Sequence, residues 1–121
     1  MDKQKIFNNL WACLIDDIQH DYRKAEVLIR LKEPETEEPH ILLFQGVVSL
    51  LWTMNRVEGE ICQDVFPEFT SILLDKVSLF TKDKWLKSFP LHFNVCIEIM
   101  DRALLIFAEE VTLDEYHFKL K

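Results

Sequence analysis

The chain has 121 residues, of which 49% are hydrophobic and 29% charged. That is the length of one domain and a globular balance, which excludes a disordered chain and allows a core without disulfide staples. Its 21 acidic against 14 basic residues leave a net charge of −7. The basic residues (Lys3 and Lys5, Arg23 and Lys24, then Lys82, Lys84 and Lys87) form no dense stripe, so neither a nucleic-acid-binding surface nor attachment to an anionic membrane is expected.

Residues 2–19 read as a helix. Ile6, Leu10, Cys13 and Leu14 recur at helical spacing, with Phe7 and Trp11 beside them, and Asp2 is placed to cap the start. Such a helix would cover one face of a sheet. The opening, MDKQKIFNNLW, has no long apolar core of the signal-peptide kind. Cys13, Cys62 and Cys96 are odd in number and contain no C-x-x-C pair, which favours small buried hydrophobes over a disulfide framework. Together these features lead us to expect a reducing, cytoplasmic setting.

Tyr22–Lys32 alternates. Ala25, Val27, Ile29 and Leu31 fall on one side; Lys24, Glu26, Leu28, Arg30 and Lys32 fall on the other. That pattern is a half-exposed strand. Glu33–Pro39, EPETEEP, breaks it with two prolines and four glutamates and is expected to be a mobile acidic loop.

His40–Trp52, HILLFQGVVSLLW, is the most apolar stretch. A bilayer-spanning helix needs about 20 predominantly apolar residues. Here Gln45, Gly46, Ser49 and Thr53 interrupt a shorter run. The stretch therefore reads as a strand covered on both faces, with a bulge or bend at Gly46, and as the second arm of a hairpin of 22–32 with 40–54.

Residues 55–63 are loop-like, with Gly59 as a turn. In 66–80, Phe69, Leu73 and Val77 suit a helix, but the apolar run suits a strand over 71–80. Lys82–Phe89, with Trp85, reads as a linker or helical turn ending at Pro90. Next, Phe93, Val95, Ile97 and Ile99 face one way, and Asn94, Cys96, Glu98 and Met100 the other. Asp101 and Arg102 form a tight connection without the glycine that favours one, and Ala103–Leu113 continues as one long strand. The predicted fold is α+β: one domain over residues 1–121, with an N-terminal helix packed on an antiparallel sheet of about four to six strands.

Signatures of chemistry are sparse. Gly46 and Gly59 are the only glycines, so no phosphate-cradling loop or dinucleotide fingerprint can be built, and there is no G-x-S-x-G elbow. Nothing marks a cysteine as activated. Residues 16–21 offer the best cation set: on a helix, Asp16 and His20, and likewise Asp17 and Asp21, sit four apart on neighbouring stripes. Three acids are poorly placed at a helix C-terminus, which favours a plain polar helix end instead. Glu109, Glu110, Asp114 and Glu115 make a C-terminal acidic cluster that reads as a solvated edge rather than as acid–base machinery. His92 and His117 read as surface histidines. Trp11, Trp52 and Trp85 read mainly as core, with one or two as possible anchors for a partner.

Three segments carry a family resemblance. These are His20-Asp21 before a strand, the L-x-F-x-x-V-x-x-L pattern of Leu42–Leu50, and a late hairpin running from His92-Phe93 through Glu98-Ile99 to Ala108-Glu109. Over residues 20–113 the chain resembles the YxiG-like families of small bacterial proteins. The resemblance implies an immunity-type protein that neutralises a toxin; it implies no catalytic residues.

The expected function is therefore a non-enzymatic intracellular binding protein without cofactors. Its acidic surface, Glu33, Glu35, Glu37 and Glu38 with Glu109, Glu110, Asp114 and Glu115, would meet a basic protein partner such as a cognate toxin. The alternative is a small-ligand or metal-binding domain, enzymatic or not, built on Asp16, Asp17, His20 and Asp21. A homodimer through an exposed strand edge is a third expectation.

Overall fold

The computed structural model describes residues 2–54, 68–75, 77–78, 92–100 and 102–120. The loop expected at 55–63, the linker at 82–89, Gly59, Cys62 and Trp85 lie outside the described residues.

The N-terminal helix is short. Helix α1 spans Lys3–Asn8, and Asp2 caps it by accepting the Gln4 N–H at 3.0 Å. The chain then turns through Ala12, at φ 68°, and enters strand β1, Leu14–Asp21. The helix expected to residue 19 does not form: its apolar spacing, Ile6, Leu10, Cys13 and Leu14, runs on across the turn at Ala12 into a strand, and that strand carries a β-bulge. In β1, Ile15 pairs with Leu31 and Ile18 pairs with Ile29, with a register shift between Ile15 and Asp17. The inserted residue resets the alternation, so two inward residues lie three apart. That spacing imitates one face of a helix.

The remaining elements are strands: β2 Glu26–Lys32, β3 Pro39–Gln45, β4 Ser49–Met54, β5 Phe69–Leu73, β6 Val77–Ser78, β7 His92–Phe93, β8 Val95–Ile99, β9 Arg102–Phe107, β10 Glu110–Leu113 and β11 Tyr116–Lys119. One sheet runs β1-β2-β3-β10-β11, a second β4-β9-β8-β5, and β6 pairs with β7. All named pairings are antiparallel. Among the described residues the chain is thus mostly β, with two large antiparallel sheets, the β6–β7 pair and a six-residue helix, and not the helix-covered α+β sheet expected.

Two segments that read as single strands each serve both sheets. His40–Trp52 leaves the first sheet after Gln45 and joins the second at Ser49; Ala103–Leu113 crosses back after Phe107. The crossings lie side by side. Val48 N–H donates to Phe107 O at 2.8 Å, and Glu109 N–H donates to Gln45 O at 3.0 Å. β3–β4 and β10–β9 therefore form one ladder, bent where the chain changes sheet. Gly46, at φ 64°, marks the bend that its place in the sequence suggested. Asn94 holds the same corner: its side chain donates to Ala108 O at 2.7 Å and accepts the Ala108 N–H at 3.0 Å.

Both sheets contribute to a single core, with Val27, Ile29, Leu42 and Phe44 from the first and Ile97, Leu104 and Ile106 from the second, all fully buried. The outer edges also meet, because Leu14 bridges Glu68 and Phe69 N–H donates to Cys13 O at 2.8 Å. α1 lies against β5: the Gln4 side chain donates to Ile72 O and accepts from Leu74 N–H, while Phe7 is buried beside Phe118, ring centroids 5.8 Å apart. β3 alternates instead of being covered on both faces, with Leu42 and Phe44 buried and Ile41 exposed. The alternations read for β2 and β8 hold. Among the tryptophans expected in the core, Trp11 and Trp52 are exposed. No helix among the described residues is long and apolar enough to cross a membrane.

Candidate functional site

The acidic breaker becomes the β2–β3 hairpin loop. Lys32 pairs with Pro39 and Leu31 with His40. Glu33 N–H donates to Glu38 O at 2.9 Å and Glu37 N–H to Glu33 O at 3.0 Å, so the loop is closed by its own backbone. Glu37 takes φ 58° to complete the turn. The Thr36 hydroxyl donates to Glu33 Oε2 at 2.8 Å. Glu35, Glu37 and Glu38 are exposed around this frame.

His40 ties the loop to the C-terminal acids. Its Nδ1 lies 2.7 Å from Asp114 Oδ2 and its Nε2 lies 3.3 Å from Glu33 Oε1. Asp114 sits in the β10–β11 turn at φ 52°, a left-handed conformation that aspartate tolerates better than most residues. Its Oδ1 also accepts the Ile41 N–H at 2.8 Å. Both imidazole nitrogens thus face carboxylate oxygens, which only accept when ionised, so the doubly protonated ring fits the site best. Burial pushes the His40 pKa down, but the hydrogen bonds and charges of Asp114 and Glu33 outweigh it, and the net direction is up from 6.5. Hydrogen bonds from Thr36 and His40 hold Glu33 below its ordinary 4.5.

The expected acidic surface divides between two places. Glu33, Glu35, Glu37, Glu38, Asp114 and Glu115 gather at the end of the first sheet where β3 begins. Glu109 and Glu110 lie at the other end of β3, Glu110 pairing with Gln45, and Glu109 packing over Gly46. Glu110 also accepts from His117 at 3.3 Å.

The cation set of Asp16, Asp17, His20 and Asp21 lies on β1, where helical stripes do not exist. Asp16 pairs with Lys32 at 3.5 Å, Asp17 accepts from Gln19 at 2.7 Å, and Asp21 caps the next turn through the Arg23 and Lys24 N–H groups. Each carboxylate is occupied separately. Among the described residues, the group whose ligand atoms converge is Glu33, Glu38 and His40, within 4.8 Å of one another; this trio could hold a divalent cation only with the imidazole neutral, the cation replacing the ring proton that faces Glu33.

Sequence reasoning missed His40 and Thr36. Hairpin symmetry about residues 35 and 36 would have set Glu33 opposite Glu38 and His40 opposite Leu31. Cys13 is buried, and burial together with Glu33 raises its pKa above 9.0, so it stays a protonated thiol. Burial and Glu98 do the same for Cys96.

The model of the family described as YxiG-like protein matches residues 4–118. The chain belongs to the YxiG-like family. The match runs from α1 into β11 and so takes in both the acidic loop and the His40 cluster, extending in both directions the likeness read over residues 20–113. A search of curated proteins gives no match.

The cluster makes the pH dependence of this YxiG-like chain predictable. A raised histidine pKa contributes stability that is complete below 6.5 and is lost as pH climbs through the folded value. A lowered glutamate pKa contributes stability that is complete above 4.5 and is lost as pH falls through the folded value. The cluster is therefore tightest between these limits. Urea unfolding of wild type should give a lower free energy at about pH 8 than at about pH 5.5. His40→Gln should shrink that difference, and an unchanged difference would assign the dependence to other groups.

Proposed function

We propose that this YxiG-like chain is a binding protein that meets a basic protein partner through the acidic rim formed by the β2–β3 loop and the β10–β11 turn. The observation that carries this reading is the His40 bridge. It joins Glu33 and Asp114, 81 residues of chain apart by their numbering, into one ordered surface around which Glu35, Glu37, Glu38 and Glu115 stand exposed. A fixed array of carboxylates attracts a cationic surface over a distance and needs little ordering on contact. The immunity-type role implied by the family likeness belongs to the same proposal: an acidic rim can occlude the basic nucleic-acid-binding face of a toxin. No catalytic step is assigned.

The protein encoded beside this chain's gene is the partner to test. Association rates measured at about 50 mM and about 300 mM salt should fall steeply with salt. Reversing Glu35 and Glu37 together to lysine should slow the low-salt rate by about tenfold or more and flatten the salt dependence. Rates that ignore both salt and the reversal would remove the acidic rim from the binding surface.

A further inference from the structure

The acidic loop has an aromatic neighbour. Asn9, Trp11, Cys13, Glu33, Pro34, Glu35 and Thr36 line a cleft between the α1–β1 connection and the β2–β3 loop. Trp11 is 70% exposed there, while Leu10 and Cys13 on either side of it are 2% exposed. The left-handed Ala12 helps set this arrangement, and Ala12 N–H is fixed to Phe69 O at 2.8 Å. The indole is thus left exposed beside the cleft, next to a turn tied to β5 by its backbone. Opposite it, Thr36 and His40 hold the Glu33 carboxylate in place and anionic, and the lining includes no lysine or arginine.

We propose that this cleft receives one cationic side chain of the protein partner, arginine in preference to lysine, stacked on Trp11 and paired with the Glu33 and Glu35 carboxylates. The inference rests on the acidic-rim reading and names the contact at its centre. An indole face attracts a cation through its quadrupole, and a guanidinium adds planar stacking and a fork of donors matched to a carboxylate. A purely apolar group would leave both carboxylates facing it without gain. A phosphate or another anion would be repelled.

An arginine tetrapeptide titrated into the isotope-labelled chain tests this by NMR, with the Trp11 indole signal assigned through Trp11→Phe. The Trp11 indole and the Glu33 and Glu35 amides should move together and saturate, with a lysine tetrapeptide binding more weakly. Trp11→Ala should weaken arginine-peptide binding by about fivefold. Glu33→Gln with Glu35→Gln should weaken it by about tenfold. If Trp11→Ala perturbs folding, the two glutamine changes read the same contact without it. Shifts spread over Asp114, Glu115 and the loop with Trp11 unmoved would overturn the cleft while leaving the acidic rim standing. No saturable shift anywhere would also overturn it. Salt-independent binding of the natural partner would fail the rim itself.

Discussion

Phe44→Ala is expected to remove about 3–5 kcal/mol of folding stability, the cost of truncating a fully buried aromatic side chain and leaving a cavity. Phe44 is 0% exposed and lies at the centre of the first sheet, opposite Val27 on one side and Val111 on the other. β2 and β10 both depend on it for their inward contacts. A domain of this size has about 5–15 kcal/mol of net stability, so the change takes a large share. Ile41, three residues earlier on the same strand, is 46% exposed. Ile41→Ala should cost within about 1 kcal/mol, since it loses only outer-face packing. Urea denaturation of both variants decides the matter. Comparable losses would mean that β3 is covered on both faces, as its apolar sequence alone suggests, and that the inward–outward alternation is wrong.

Much of the strand content was legible because alternation is a direct consequence of the pleat. Val27, Ile29 and Leu31 in β2, and Val95, Ile97 and Ile99 in β8, are buried as their spacing requires. Asp2 was recognisable as a helix cap because capping is local. The failures came from features that erase or imitate periodicity. The spacing of Ile6, Leu10, Cys13 and Leu14 continues across the turn at Ala12, so α1, the turn and the start of β1 read as one helix. Ala103–Leu113 read as one strand because its corner, at Ala108 and Glu109, contains neither glycine nor proline. Ala108 is small enough to be fully buried where the chain crosses.

The candidate site was half legible for a related reason. Glu33, Glu35, Glu37 and Glu38 announce themselves by composition, and the two flanking prolines mark the break, although Pro39 itself opens β3. What organises them is His40, which looked like the first residue of an apolar strand. Its partner Asp114 is 74 residues away, brought close only because β10 pairs with β3. Spacing within a segment cannot reveal a contact made by a long-range register. The cation set at residues 16–21 was read on a helix: stripes four residues apart do not exist on a strand, and Asp16, Asp17 and Asp21 each have a local partner.

The corner itself supports the second large effect. Gly46→Ala should cost about 2–5 kcal/mol, from two sources that can be separated. The backbone there has φ 64°, where a Cβ is strained by about 1–2 kcal/mol. The added Cβ would also lie 2.8 Å from Glu109 Cβ and Cγ and 2.9 Å from Oε2. Cγ and Oε2 can swing aside by rotation, but Glu109 Cβ is fixed to the crossing strand, whose N–H is bonded to Gln45 O. Relief therefore requires the two crossings to separate, an overpacking cost of about 1–3 kcal/mol. Measuring Gly46→Ala in wild type and again with Glu109→Gly isolates that second part, because removing the Glu109 side chain leaves only the backbone strain. The loss should be about 1–2 kcal/mol in the Glu109→Gly background and larger in wild type. An equal loss in both would show that the Glu109 side chain does not lie over Gly46. The bend that sends β3 into β4 would then owe its glycine to backbone conformation alone.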